Sequence, residues 1–167
     1  LPPLSFTFEQ LEALALGAKT LALIADKDMS AAAKEALAKI RDAVPQSHQE
    51  KLDSPHLMVV PPQGITMPQK ELRQVRKAID EKRILNVTYR ALDERVSERQ
   101  LYPLALTNFG PIWLMTAWCV TRQDFRDFRM DRFDQMQLQR EKFTLAPHQT
   151  LETYLKRFAV KPAARMG

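Results

Sequence analysis

The spacing of apolar residues changes near residue 84, and this change constrains the fold more than any other feature of the sequence. Before residue 84, apolar residues recur at the spacing of amphipathic helices. After it, they alternate with polar residues in short segments bounded by turn residues, which is typical of β-strands. The sequence therefore predicts an α+β chain in which helices come first and a small sheet follows.

Two helices are predicted in the first quarter of the chain. Thr7 and Gln10 have the spacing of a capping box, so the first helix begins at Thr7 and runs to about Ala25. The second begins after Asp28 and ends before Pro45, which cannot continue a helix. This helical hairpin has more apolar surface than two helices can hide, so we expect the region to pair two subunits in a homodimer.

The proline-rich residues 45–68 predict a connector, in which residues 57–60 form an edge strand at most. A third helix is predicted to begin at Thr66, because Gln69 again gives capping-box spacing and Pro68 lies in the first turn. It is expected to end near residue 82, where the alternation begins.

Five strands are predicted after the third helix, and the central one, residues 112–120, is apolar on both faces. Five short strands after one helix favour a small closed or half-closed barrel over an open sheet. The predicted strands are residues 84–90, 101–107, 112–120, 125–131 and 133–139. The predicted parts of the chain are a helical linker over residues 1–67, a barrel domain over 68–141, and a C-terminal extension with a short helix over 142–167.

The sequence contains no recognisable catalytic or metal-binding motif. The three histidines are not at zinc-ligand spacing, and Cys119 lies in an apolar strand, where a thiol is inert. With only 4 glycines, a phosphate-binding loop is not expected. We therefore expect no enzyme activity, no metal and no cofactor. Without a signal peptide or an apolar segment of membrane-spanning length, we expect a cytoplasmic protein with no membrane partner.

Positive charge is concentrated after residue 70 in a chain whose net charge is +5, so an anionic partner is expected in the second half. Four arginines fall within eleven residues there: Arg122, Arg126, Arg129 and Arg132. Guanidinium groups bind phosphates through two donors at once, which favours an anion site. The interleaved aspartates leave a second interpretation open, in which these arginines form only surface ion pairs.

Three segments, in order along the chain, resemble those of WYL-domain proteins. Residues 110–119 resemble the signature strand of the family, and residues 97–104 its Arg-x-x-x-Pro-Leu strand. Residues 126–133 resemble its Arg-x-Phe-Arg-Leu-Asp-Arg-Ile segment. Residues 1–7 and the helices after them are similar to the linker of the family's transcription factors.

This resemblance implies a helical linker hairpin followed by a five-stranded Sm-like, SH3-type β-barrel. It also implies a regulatory role in a bacterial transcription factor, whose N-terminal winged helix-turn-helix domain, expected ahead of Leu1, binds operator DNA. The barrel is expected to sense an anionic ligand, a nucleotide or a single-stranded nucleic acid. Family positions that line or support the ligand site correspond to Arg99, Trp113, Arg129 and Arg132, with Arg122 and Arg126 at its margin.

The family's Trp-Tyr-Leu motif is Trp113-Leu114-Met115 in this sequence, so the tyrosine hydroxyl that could bind a phosphate or a base is missing. Strand alternation places Arg132 on the other face of the strand from Asp127 and Asp131, and we expect it to reach a ligand phosphate or carboxylate. Two other functions remain open, a barrel that binds nucleic acid constitutively and a pure oligomerisation element.

Overall fold

The computed structural model describes residues 5–54 and 56–158, which form two units that divide between Met67 and Pro68. The remaining residues, including the first four of the linker and the end of the predicted C-terminal extension, lie outside the described residues. The first unit contains three helices: α1 (Phe8–Ile24), α2 (Lys27–Ala43) and α3 (Gln46–Leu52).

The capping box predicted for α1 is confirmed. Gln10 N donates to the Thr7 hydroxyl at 3.2 Å, and Thr7 N donates to the Gln10 side chain at 2.9 Å. The second helix begins earlier than predicted, because Asp26 Oδ1 accepts hydrogen bonds from the backbone N–H groups of Asp28 and Met29. An aspartate at this position satisfies helix N–H groups that would otherwise lack partners.

The predicted connector was only partly correct. Pro45 ends α2, but it is also the N-cap of α3, where its fixed φ angle suits the start of a helix. Residues 57–60 form no strand. The capping box predicted at Thr66 is also wrong, because the next helix is capped by Pro68 without a side-chain hydrogen bond.

The second unit begins with α4 (Gln69–Glu81) and continues with five strands. A 3-10 turn at Met130–Arg132 separates the last two strands, and a final helix, α5 (Leu151–Arg157), follows the sheet. The strands are β1 (Arg83–Arg90), β2 (Val96–Phe109), β3 (Ile112–Cys119), β4 (Asp124–Arg129) and β5 (Phe133–Lys142).

The five strands form one antiparallel sheet in the order β4-β3-β2-β1-β5, which confirms the α+β class and the strand count. Among the described residues no ladder joins β4 to β5, so the sheet is open rather than a closed barrel. It is nevertheless strongly curled. Arg129 N, at the end of β4, donates to the hydroxyl of Tyr89 on β1 at 3.2 Å, although two strands separate β1 from β4 in the sheet.

A β-bulge in β2 accompanies this curl. The pairing of β2 with β3 shifts between Pro103, which lies opposite Ala117, and Ala105, which lies opposite Thr116. Leu104 is therefore the additional residue in β2. Bulges bend a strand and increase its local twist.

Each face of the sheet carries its own apolar core. On one face, α4 buries Leu72, Val75 and Ala78 against sheet residues that include Leu85 and Leu101. On the other face, Trp118 and Phe125 pack against Tyr154 of α5. Burial on both faces explains why β3 is apolar on both faces, apart from Thr116, as predicted for a central strand.

Candidate ligand-binding site

Three of the arginines predicted to bind a ligand are ion-paired within the protein. Arg126 lies 3.4 Å from Asp124, and Arg129 lies 2.7 Å from Asp131. Arg132 lies 3.0 Å from Glu94. For Arg126 and Arg129, the structure therefore shows the pairing with interleaved aspartates that the sequence had suggested, whereas Arg132 pairs with an acid outside that segment.

The pair of Arg129 and Asp131 has good geometry. Arg129 Nε and Nη2 donate to the two carboxylate oxygens of Asp131 at 3.0 and 2.7 Å. This hydrogen bonding lowers the pKa of Asp131 and raises the pKa of Arg129, so both groups stay charged. Burial raises the pKa of the adjacent Tyr89, whose neutral hydroxyl accepts the Arg129 backbone N–H.

Arg132 lies where strand alternation cannot predict its neighbours. Residues Met130–Arg132 form a 3-10 turn, and the bend carries the Arg132 side chain to the turn between β1 and β2. There, Nε donates to the carbonyl of Arg90 at 2.7 Å, and Nη2 donates to the carbonyl of Ala91 and to Glu94. Arg132 thus pairs with no acid of its own strand, but the chain bends after Arg129 and brings it to Glu94 of another segment.

The other two arginines have no carboxylate partner among the described residues. Arg99 Nε donates to the Ser97 hydroxyl at 3.0 Å, and Nη1 lies 3.8 Å from the sulfur of buried Cys119. Arg122 is exposed in the turn between β3 and β4, where it forms no ion pair or hydrogen bond with the described residues. The positive charges of Arg99 and Arg122 are therefore the ones that a bound anion could neutralise at least cost.

The five arginines occupy different places on the sheet. Arg99 and Arg126 lie on the face that carries Cys119 and Ala117, whereas Arg129 and Arg132 lie close to Tyr89. No hydrogen bond or ion pair within residues 5–54 and 56–158 joins these two groups of arginines.

Trp113, the predicted aromatic residue of the site, lies in β3 opposite Asn108 and is partly buried against the core under α4. Its neighbour Leu114 is almost completely buried, with 1% exposed. The position occupied by tyrosine in the family motif is thus an interior one in this chain.

The structure also contains a polar trough that the sequence did not predict. Its volume is about 450 Å³. It crosses three adjacent strands, and its side chains include Asn86 and Thr88 of β1, Glu98 and Gln100 of β2, and Gln135 and Gln137 of β5. The alternation of these polar residues was visible in the sequence, but the pairing of β5 with β1 was not.

No group of histidine, cysteine, aspartate or glutamate side chains in the described parts of the chain is suited to hold a metal ion. None of the described helices combines the length and apolar character needed to cross a membrane.

Comparison with known proteins identifies residues 70–138 of the second unit. Residues 70–138 match the family model of the WYL domain. This segment of the chain is a WYL domain. The resemblance of residues 97–104, 110–119 and 126–133 is therefore confirmed by the family match, whereas that of residues 1–7 lies outside the matched segment. Arg99, Arg122 and the trough all lie within the WYL domain.

This chain is similar to DNA-binding transcriptional repressor CapW of Escherichia coli strain KTE188, with 37% identity over 65 residues. The match covers 38% of this chain and 22% of the repressor, so the chain spans about a fifth of the curated relative's length. A second CapW sequence of Escherichia coli matches with the same identity and coverage.

Two solved structures have similar chains. Proteasome accessory factor B/C (PafBC) of Arthrobacter aurescens has a TM-score of 0.44 and 23% identity, covering 84% of this chain and 22% of that chain. A CRISPR Cas-related protein has a TM-score of 0.46 and 9% identity, covering 96% of this chain and 64% of that chain. At these scores, neither likeness carries an argument about function.

Proposed function

We propose that this chain is the effector-sensing part of a bacterial DNA-binding transcriptional regulator, and that its WYL domain binds an anionic ligand. The observation that carries the proposal is the WYL domain at residues 70–138, and it is supported by the likeness of 65 residues of this chain to a relative named a DNA-binding transcriptional repressor. In this proposal the chain is a binding module without enzyme activity, in the cytoplasm, and operator DNA is bound by a separate domain.

The ligand in this proposal is a nucleotide or a single-stranded nucleic acid, and its phosphate binds Arg99 and Arg122. These two arginines favour the assignment because no carboxylate of the described residues pairs with either of them. Binding at Arg126, Arg129 or Arg132 would require a phosphate to displace Asp124, Asp131 or Glu94, which costs an existing ion pair. In this proposal those three arginines therefore stabilise the fold through their ion pairs and do not bind the ligand phosphate.

We further propose that the linker pairs two copies of the chain through α1. Between Ala13 and Ala25 the only charged residue is Lys19, and its Nζ is bound to the carbonyl of Leu52 at 2.7 Å. Leu14 and Leu21 remain 47% and 36% exposed on this helix. An uncharged apolar helix face of this kind favours association with an identical face.

The effector function is tested in two steps. The 167-residue chain is titrated with a short single-stranded oligodeoxynucleotide at about 50 and 200 mM salt, where phosphate contacts should give markedly weaker binding at the higher salt. Operator affinity of the full-length regulator is then measured with and without the oligonucleotide, and a coupling of about 1–3 kcal/mol is expected.

The outcomes separate the alternatives. Salt-dependent binding without a change in operator affinity would contradict effector sensing and support constitutive nucleic-acid binding. No binding of nucleotides or oligonucleotides by a folded chain would contradict the proposed ligand and leave only the oligomerisation role.

A further inference from the structure

The polar trough owes its shape to the register of three strands. Asn86 on β1 lies opposite Gln100 on β2 and opposite Gln137 on β5. One step along, Thr88 lies opposite Glu98 and Gln135. The side chains of β1, the middle strand of these three, are shorter than those of β2 and β5. The side chains of β2 and β5 therefore form the two walls of the trough, and those of β1 form its floor.

The trough lies on the sheet face that α5 covers elsewhere. Gln100 shares this face with Tyr102, two residues further along β2, and Tyr102 packs with the core beneath α5. Helix α5 thus covers the apolar part of the face, whereas the polar part stays open. A ligand can therefore bind the exposed polar part of this sheet face without disturbing the apolar core beneath α5.

The chemistry of the trough is that of carboxamides. Its strand side chains include Asn86, Gln100, Gln135 and Gln137, with Glu98 as the one charged group among the six. Gln100 Nε2 lies 3.5 Å from Asn86 Oδ1, a long hydrogen bond. The side-chain amides of Gln135 and Gln137 are exposed and form no hydrogen bonds with the described residues. These six side chains offer neighbouring donors and acceptors but no positive charge, so they suit a neutral polar group, while Arg99 also lines the trough.

One end of the trough is formed by Thr121, the residue that precedes Arg122 in the chain. The Thr121 hydroxyl accepts a hydrogen bond from Gln100 N at 3.1 Å, which fixes the turn between β3 and β4 at the trough. Arg122 is the next residue of that turn. An anion at Arg122 would therefore be close to a neutral hydrogen-bonding surface, and a nucleotide combines these two groups in one molecule.

We propose that the trough binds a base of the nucleotide or single-stranded ligand whose phosphate binds Arg122, and that it prefers adenine. A carboxamide presents one donor and one acceptor side by side, which match N7 and the N6 amino group of adenine. This inference rests on the proposed function, since it assumes an anionic ligand, but it adds a base site and a specificity.

The test uses the 167-residue chain and two fluorescently labelled single-stranded pentamers, one of deoxyadenosine and one of thymidine, followed by fluorescence anisotropy. We expect the wild type to bind the adenine pentamer about tenfold more tightly, as one bidentate base contact would give. Replacing both Gln135 and Gln137 by alanine should remove this preference. The matched control, Gln139→Ala on the same strand but outside the trough lining, should keep it.

Arg122→Ala separates the trough from the phosphate site. It should weaken binding of both pentamers by a similar factor and leave their ratio unchanged. Circular dichroism of each variant verifies that the fold is retained, which is expected because Gln135, Gln137 and Arg122 are exposed. Equal affinities of the wild type for the two pentamers, or a preference that survives the double replacement, would overturn the trough assignment while salt-dependent binding upheld the proposed function. Absence of binding to either pentamer would overturn both.

Discussion

The Tyr154 hydroxyl donates a hydrogen bond to Asp127 Oδ2 at 2.8 Å and thereby joins α5 to β4. The same carboxylate accepts a hydrogen bond from the Thr116 hydroxyl at 2.6 Å, and Asp127 itself is buried. A buried carboxylate is tolerated only when its oxygens are hydrogen-bonded. The position of α5 is therefore set by a polar contact as well as by apolar packing.

Tyr154→Phe should lower the free energy of unfolding by about 1–3 kcal/mol, because it removes a donor from a buried carboxylate and changes little in volume. Urea unfolding of wild type and variant measures the difference. Leu155→Ala, on the exposed side of α5, serves as the control and should change the stability much less. A Tyr154→Phe variant as stable as the wild type would show that packing alone holds the helix.

Arg132→Ala should also destabilise the protein, by about 1–3 kcal/mol, because its guanidinium binds two carbonyl groups and Glu94. Arg132→Lys should recover only part of the loss, since lysine lacks the planar fork. The control is Arg95→Ala in the turn between β1 and β2, which the Arg132 side chain contacts. The Arg95 side chain is 85% exposed, so this change should have little effect on stability. Unchanged urea unfolding together with lost oligonucleotide binding would instead assign Arg132 to the ligand, as the sequence had suggested.

The ion pair of Arg129 and Asp131 should make stability depend on pH in the acidic range. The pKa of Asp131 is lowered in the folded protein by its hydrogen bonds to Arg129, so its contribution is fully present above the unfolded pKa of about 4. The contribution is lost as the pH falls through the folded pKa. The difference in unfolding free energy between wild type and Asp131→Asn, about 1 kcal/mol or less, should therefore shrink between about pH 5 and pH 2. A difference that stays constant over this range would contradict the ion pair.

Aspartate at both Leu14 and Leu21 should convert the proposed dimer into a monomer, because it places charge on a face that otherwise carries none. Light scattering coupled to size-exclusion chromatography gives the mass. Val60→Asp is the control, since Val60 is 73% exposed but lies outside α1. If the double variant keeps the wild-type mass and solubility, α1 is not the interface.

Local sequence signals predicted much of the fold. The five strands lie where alternation placed them, and the capping box of Thr7 and Gln10 starts α1. One error occurred at Pro45, which was interpreted only as a helix stop although proline also favours a helix start. The start of β2 was predicted too late, at residue 101 instead of Val96, because the charged residues that follow Val96 were not recognised as part of the strand.

The candidate site was harder to predict because it depends on non-local pairing. Arg132 was assigned by alternation, which fails once the backbone leaves the strand at Arg129. The trough requires β5 to lie beside β1, the two ends of the sheet domain in sequence, and no local pattern specifies that pairing. Which arginines lack an acidic partner also depends on contacts between distant segments, such as that of Arg132 with Glu94.

The bulge at Leu104 affects the bend of the sheet without affecting which residues of β2 and β3 pair. Pro103 and Ala105 face consecutive residues of β3, so a chain lacking Leu104 could keep every cross-strand partner downstream. What such a chain would lose is the bend, and with it the approach of Tyr89 to Arg129 across the curled sheet. Deleting Leu104 would thus flatten the sheet while leaving its cross-strand pairs unchanged. How well the domain tolerates this deletion therefore measures how much curvature the domain needs.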